Sequence, residues 1–269
     1  MAEITVFRCE DSIDGILTGV YDAWASRLGH ANVRLQLDEP DTLELFCRYV
    51  TVAPDAEKSE KVARSIRQKI SPRAWQLVYR AALSPEGSRA DDIYRFLVLG
   101  FAAGSLVTGM LAEPAVQRIQ ELNRFVGNES HYYREFLRFD AVEGGVLFAR
   151  IRPKSNVLTL LTPHFADRLP GESFLILDVG RSLAAVHPAD REWYLTALTQ
   201  EEAERLLVRQ LDPYRDLWQT FFDAVAIRER TNPKLQRNRM PLRYREFAPE
   251  SYRTPEERSA MRRESRGKH

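Results

Sequence analysis

FLRFDAVEGGVLFARIRPKSNVLTLLTPHFADRLPGESFLILDVGRSLAAVH, Phe136 to His187, is the stretch on which the fold class turns. Four short runs in it have the apolar, β-branched character of strands: Phe136–Val142, Gly145–Arg152, Ser173–Asp178 and Ser182–His187. Gly144-Gly145 makes a hairpin of the first two, and Gly180-Arg181 makes one of the last two. Asn156–Arg168, between the pairs, reads as a short helix or an ordered loop. Hairpin pairs set among helical segments predict an α+β fold, an antiparallel sheet packed with helices.

Working outward, the chain before this stretch is helical in period from about residue 55 to 135 and forms a largely helical insert. Helices are expected at Asp55–Ile70, Ser71–Leu83 with Pro72 in its first turn, Arg89–Val107 and Glu113–Arg134. Gly100 and Gly104 in the third allow a close helix contact. Nearer the N-terminus, Ile4–Arg8, Val33–Leu37 and Leu43–Val52 read as strands. Asp11-Ser12 caps a helix through about Arg27 with Ile13, Ile16, Leu17, Val20, Tyr21 and Trp24 on one stripe. Beyond Pro188 the period is helical again. Thr199 caps a helix to Gln210, and Asp212-Pro213 opens another whose Trp218, Phe221 and Phe222 are core anchors. The expectation is one α+β domain over residues 1–250, with a polar, basic and disordered tail at 251–269.

Apolar residues make up 44% of the 269 and charged residues 29%, which suits a soluble chain with a sizeable core. Two cysteines, Cys9 and Cys47, are too few for a disulfide framework or a zinc knuckle. MAEITVFRCE lacks the basic-then-apolar pattern of a secretory leader. Phe96–Met110, the longest apolar run, contains three glycines and is too short to span a bilayer. A cytoplasmic location without membrane contact is expected.

The net charge of +1 conceals an asymmetry. Residues 228–269 hold 13 Lys and Arg against 6 Asp and Glu, a basic end on an acidic body. Such an end suits an anionic partner. Within it, Arg228, Arg230, Lys234, Arg237, Arg239, Arg243 and Arg245 are interleaved with Asn232, Gln236, Asn238 and Tyr244. Guanidinium forks, amides and an aromatic ring are the groups that meet phosphates and bases, so this segment is the first candidate for nucleic-acid contact. The alternative is a surface helix with internal ion pairs.

Two further constellations stand out. His131, Arg134 and Arg138 share a helix face if the helix continues that far, and they could hold a phosphate, or His131 could act as a general base. Surface ion pairing by Glu129 and Arg134 is the alternative. His164 and Asp178 could form an oriented imidazole. Equally, Asp178 could be a turn residue bonding backbone amides, with Arg168 and Arg181 as its ion-pair partners. Metal-ligand spacing, a phosphate loop and a nucleophile elbow are all missing from the sequence, so neither metal nor cofactor is expected.

The order of motifs resembles an uncharacterised family labelled "probable DNA metabolism protein", domain of unknown function 4130. The resemblance rests on FRCEDSIDGILTGVYDAW, ESHYYREFLRF, TPHFADRLPGESFLILDVGR and LWQTFFDAVAIRERTNPKLQRNRMPLRYREF. It departs from the family's pattern at Tyr244-Arg245, where a Trp is expected after the Tyr. The resemblance implies a companion of a radical-SAM protein related to DNA repair, and a domain also found fused to one similar to uracil-DNA glycosylase. The leading expectation is therefore a DNA-associated accessory protein working with a separate repair or modification enzyme. The rivals are an enzyme on nucleotides or nucleic acid using His131, His164 and Asp178, and a protein-interaction module for an acidic partner.

Overall fold

The computed structural model describes residues 4–37, 45–142, 145–198, 201–202, 241, 244 and 246–247. The chain is α+β and divides into two compact units, one of residues 1–128 and 154–156, the other of residues 129–153 and 157–269.

In the first unit β1 (Ile4–Cys9) lies between β2 (Val33–Leu37) and β3 (Cys47–Val52), parallel to both. The expected antiparallel arrangement does not hold here. The reason is α1 (Ile13–Ala25), which returns the chain to the starting edge of the sheet so that β2 runs beside β1 in the same direction. Ser12 caps α1 as expected, its side chain accepting from the Gly15 amide. The register sets Cys47 opposite Ile4 and Cys9 opposite Val52, so the two thiols sit at opposite ends of paired strands.

The helical insert follows: α2 (Ala56–Ser65) continued by a π-helical turn at Ile66–Ile70, α3 (Pro72–Ala82), α4 (Arg89–Ala103) and α5 (Pro114–Phe136). Asp55 caps α2 by accepting from the amides of Glu57 and Lys58, and Ser71 caps α3 with Pro72 in its first turn. Lys58 bonds Asp22, and Ser59 bonds Asp14, fastening α2 to α1. The helix expected to reach Val107 ends at Ala103, because Gly104 adopts a φ of 62° that halts helical geometry before a 3-10 turn at Gly104–Gly109. Ile16, Leu17, Ile66, Leu77, Ile93, Phe96, Leu97 and Ile119 are core residues of this unit, fully enclosed. Arg89 is buried among them and donates to the carbonyls of Ala82 and Glu86 and to Asp11. Residues 154–156 belong to this unit too, and the Asn156 amide donates to the Leu83 carbonyl at 2.9 Å.

The second unit is a five-stranded mixed sheet in the order β4 (Asp140–Val142), β5 (Val146–Ile151), β6 (Phe174–Asp178), β7 (Leu183–His187), β8 (Tyr194–Ala197). The β4–β5 and β6–β7 hairpins stand where expected. β5 and β6, however, are parallel, because α6 (Leu158–Arg168) forms the crossover between them. The strand expected from Phe136 is shorter, since α5 runs through Phe136 and the Leu137 amide still bonds the Tyr133 carbonyl. β8 has no counterpart in the sequence expectations. One side of this sheet packs Phe148, Leu177 and Ala184 together, while Phe165 of α6 joins Phe139 and Phe174. The expected helices at Thr199–Gln210 and around Trp218, and the tail at 251–269, lie outside the described residues except for 201–202.

The seating of α1 on β1 generates a stability prediction. A Cβ on Gly19 would stand 2.2 Å from the Cys9 sulfur, a group with no exposure. Gly19→Ala should therefore cost about 1–3 kcal/mol of unfolding free energy, the range for forced overpacking of a core. Adding Cys9→Ala removes the obstructing sulfur, and denaturant titration of the double variant should show part of that loss recovered.

Candidate functional site

The second unit carries the candidate site. Its geometry starts at the buried end of β6. Asp178 has no solvent exposure, and its Oδ1 accepts from the backbone amides of Gly180 at 3.0 Å and Arg181 at 3.3 Å. Its Oδ2 receives the Arg181 guanidinium at 2.9 Å, which also bonds the Pro153 carbonyl. This is the turn role for Asp178, and it supplies one of the two arginine partners expected. Burial pushes the Asp178 carboxyl above the ordinary value of 3.8, against the downward pull of Arg181 and the two amides.

Arg168 has another neighbour. Burial, the largest cause, lowers the His164 imidazole below its ordinary 6.5, and Arg134 and Arg168 push the same way while Asp167 opposes. Arg134 is held by a bond to the Leu160 carbonyl at 2.6 Å. His164 and Asp178 thus have separate surroundings, and among the described residues no hydrogen bond or ion pair joins them. The acid–base dyad is not built. His131 is exposed and its Nε2 lies 3.1 Å from Glu135 Oε1, so it pairs along its own helix rather than with Arg134 and Arg138. Arg138 bonds the carbonyls of Glu135 and Leu137.

A recess opens beside these groups, lined by Tyr133, Phe136, Leu137, Arg138, Arg150, Tyr244 and Phe247. Its walls are set by the end of α5 and by β5. Tyr133 is buried, its hydroxyl bonded to the Arg152 backbone, and burial followed by the nearby Glu129 carboxylate raises its phenol well above the ordinary range. Glu129 is itself only 1% exposed. Tyr244 and Phe247 line the recess from the far end of the sequence. Tyr244 stacks on Tyr132 at 4.8 Å and meets Tyr133 edge-on at 5.0 Å. Glu246 pairs with Arg152 at 3.3 Å, and the Arg150 guanidinium lies over the Phe247 ring at 5.0 Å.

Tyr244, one of the residues expected to meet nucleic acid, is 5% exposed in this structure, its ring covered by Tyr132 and Tyr133. Arg228, Arg230, Asn232, Lys234, Gln236, Arg237, Arg239 and Arg243 lie outside the described residues. Arg150, Arg152, Tyr133 and Phe247 were missed by sequence reasoning. Arg150 and Arg152 look like alternating strand residues, and their signal appears only once β5 is seen beside the 244–247 segment.

The match of a family model to residues 87–250, described as domain of unknown function DUF4130, covers much of the helical insert and the second unit's site. The chain belongs to the DUF4130 family. Among curated proteins none matches it in sequence. A solved structure described as a DHH domain, from a member of a family of ribosomal proteins, aligns at 11% identity and a TM-score of 0.31. That alignment covers 70% of this chain and 74% of the other, and a likeness so slight carries no argument about fold or function. Within the DUF4130 match, ESHYYREF supplies Glu129, Tyr132 and Tyr133, and RYREF supplies Tyr244, Glu246 and Phe247. The two motifs meet in the structure. No single described helix is long and apolar enough to cross a membrane, and no group of metal-ligating side chains occurs among the described residues.

Two titrations test this electrostatic arrangement. A folded Asp178 with a raised pKa binds its proton more tightly than the unfolded chain does. It adds stability below the unfolded value and loses it as pH rises through the folded one. Asp178→Asn keeps an oxygen for the amides and never ionises, so denaturant midpoints should shift increasingly in its favour over wild type as pH rises above the ordinary carboxyl value of 3.8. A shift in the opposite direction would mean that Arg181 outweighs burial. Arg134→Ala removes one of the cations that depress His164, and its imidazole resonances should then titrate closer to 6.5.

Proposed function

We propose that the protein is a DNA-associated accessory factor that grips the nucleic-acid backbone through the basic segment from Arg228 to Arg245. The observation that carries this is the anchoring of Tyr244, Glu246 and Phe247 on the second unit. Tyr244 and Phe247 line a recess with Arg138 and Arg150, and Glu246 pairs with Arg152, which supports a basic surface close in sequence to the basic run. Arg134 and Arg168, both felt by His164, add a second basic patch on the same unit. Each phosphate neutralised by such groups releases condensed counterions, which makes binding strong at low salt and insensitive to sequence.

The scattered placement of His131, His164 and Asp178 favours an accessory role over independent catalysis, since each has structural surroundings of its own. The reaction then belongs to a partner. The resemblance in motif order points to a radical-SAM or uracil-DNA-glycosylase-like enzyme, acting in the cytoplasm. In this role the chain would bring the enzyme to DNA or hold the strand during its work.

Titration of duplex DNA at several salt concentrations tests the proposal. Roughly four to six phosphate contacts should give a log–log slope of about −4 to −5. Replacing Arg230, Arg237 and Arg239 together with Ala should flatten the slope and weaken binding on every sequence alike. Equal slopes for wild type and triple variant would remove the basic segment from the interface.

A further inference from the structure

We propose that the surface beneath Tyr244, Glu246 and Phe247 is a binding site for single-stranded nucleic acid, occupied in this structure by the protein's own segment in place of the strand. This rests on the proposed nucleic-acid role and names the form of nucleic acid. The segment offers a ring, a carboxylate and a second ring in sequence order. Tyr244 lies flat on Tyr132, their planes 27° apart. The Glu246 carboxylate meets the Arg152 guanidinium, and Phe247 lies under that of Arg150. An unpaired strand presents the same succession: a base for an aromatic face, a phosphodiester for a guanidinium, and a second base for a guanidinium plane. The platform extends further, because Tyr132 also stacks near Phe136 at 6.2 Å with a 19° angle.

Charge decides between a strand and an acidic aromatic peptide. Among the described residues Tyr244, Glu246 and Phe247, Glu246 brings a carboxylate to Arg152, while Arg150 meets the Phe247 ring and Arg138 lines the same recess. A strand carries a negative charge on every nucleotide and would match this density of cations more fully. It would also be drawn in by the basic run that ends at Arg245. Duplex DNA fits less well, because its bases are stacked on each other and present no free face to Tyr132. The 244–247 segment then acts as an internal competitor: the apparent affinity for a strand is reduced by the fraction of molecules in which the platform is covered.

The experiment uses the full chain and a fluorescently labelled oligothymidine of about 15 nucleotides, within the span such sites take, read by anisotropy. Glu246→Ala combined with Phe247→Ala should release the segment and tighten strand binding about tenfold, as one recovered stacking contact implies. Phe247→Ala alone, which changes no charge, should move binding in the same direction. Adding Arg150→Ala and Arg152→Ala should erase the gain. Unchanged or weaker binding in the released variants, or a gain that survives loss of both arginines, overturns the inference. Competition by thymidine monophosphate as effective as by the oligomer, nucleotide for nucleotide, would reassign the site to a free nucleotide. Tighter binding of an acidic aromatic peptide would reassign it to a protein. Duplex titration separates the two levels of the argument. Salt-sensitive duplex binding with no gain in the released variants sinks this inference alone, whereas no salt-sensitive binding to duplex sinks the broader reading with it.

Discussion

The buried Asp178 carboxylate is the constraint around which the second unit is arranged. Removing a carboxylate from water is costly unless its oxygens are satisfied, and here two amides and one guanidinium satisfy them. Those bonds set the β6–β7 turn, and they reach beyond it. Arg181 spans from Asp178 to the Pro153 carbonyl, and the Val179 amide donates to the Ile151 carbonyl. The end of β5 is thereby tied to the turn. With β5 fixed in register, Arg152 takes its place opposite Glu246 and Arg150 opposite Phe247.

In the first unit, distance of approach is the corresponding constraint. Gly19 lets α1 lie on β1 closer than any side chain allows, and Gly100 does the same for α4 against Ile70, where a Cβ would come within 2.8 Å. Small residues at these points replace what would otherwise be a gap between packed elements. The Asp14–Ser59 and Asp22–Lys58 bonds then hold α2 against α1 without using apolar area.

Much of the fold was legible wherever a local rule acts alone. VRLQL alternates cleanly and forms β2 over those five residues, and Ser12 and Ser71 cap helices as their chemistry dictates. Strand direction was not legible, because period-two spacing reports which face a residue takes and says nothing of its neighbour. REFLRF carries both helical and strand spacing, and the helix won as far as Phe136. At the site, Asp178 followed its turn chemistry, which sequence could anticipate. Tyr244 could not be placed, since an aromatic residue among arginines looks exposed until Tyr132 and Tyr133, far earlier in the chain, are seen to cover it.

The return of residues 154–156 to the first unit, where the Asn156 amide satisfies the Leu83 carbonyl, makes the two units inseparable by a single cut. A break after Asn128 would leave the first unit lacking that tripeptide, and a break after Asn156 would take β4 and β5 away from the sheet they belong to. Insertions, duplications or fusions at either junction would therefore disturb both bodies.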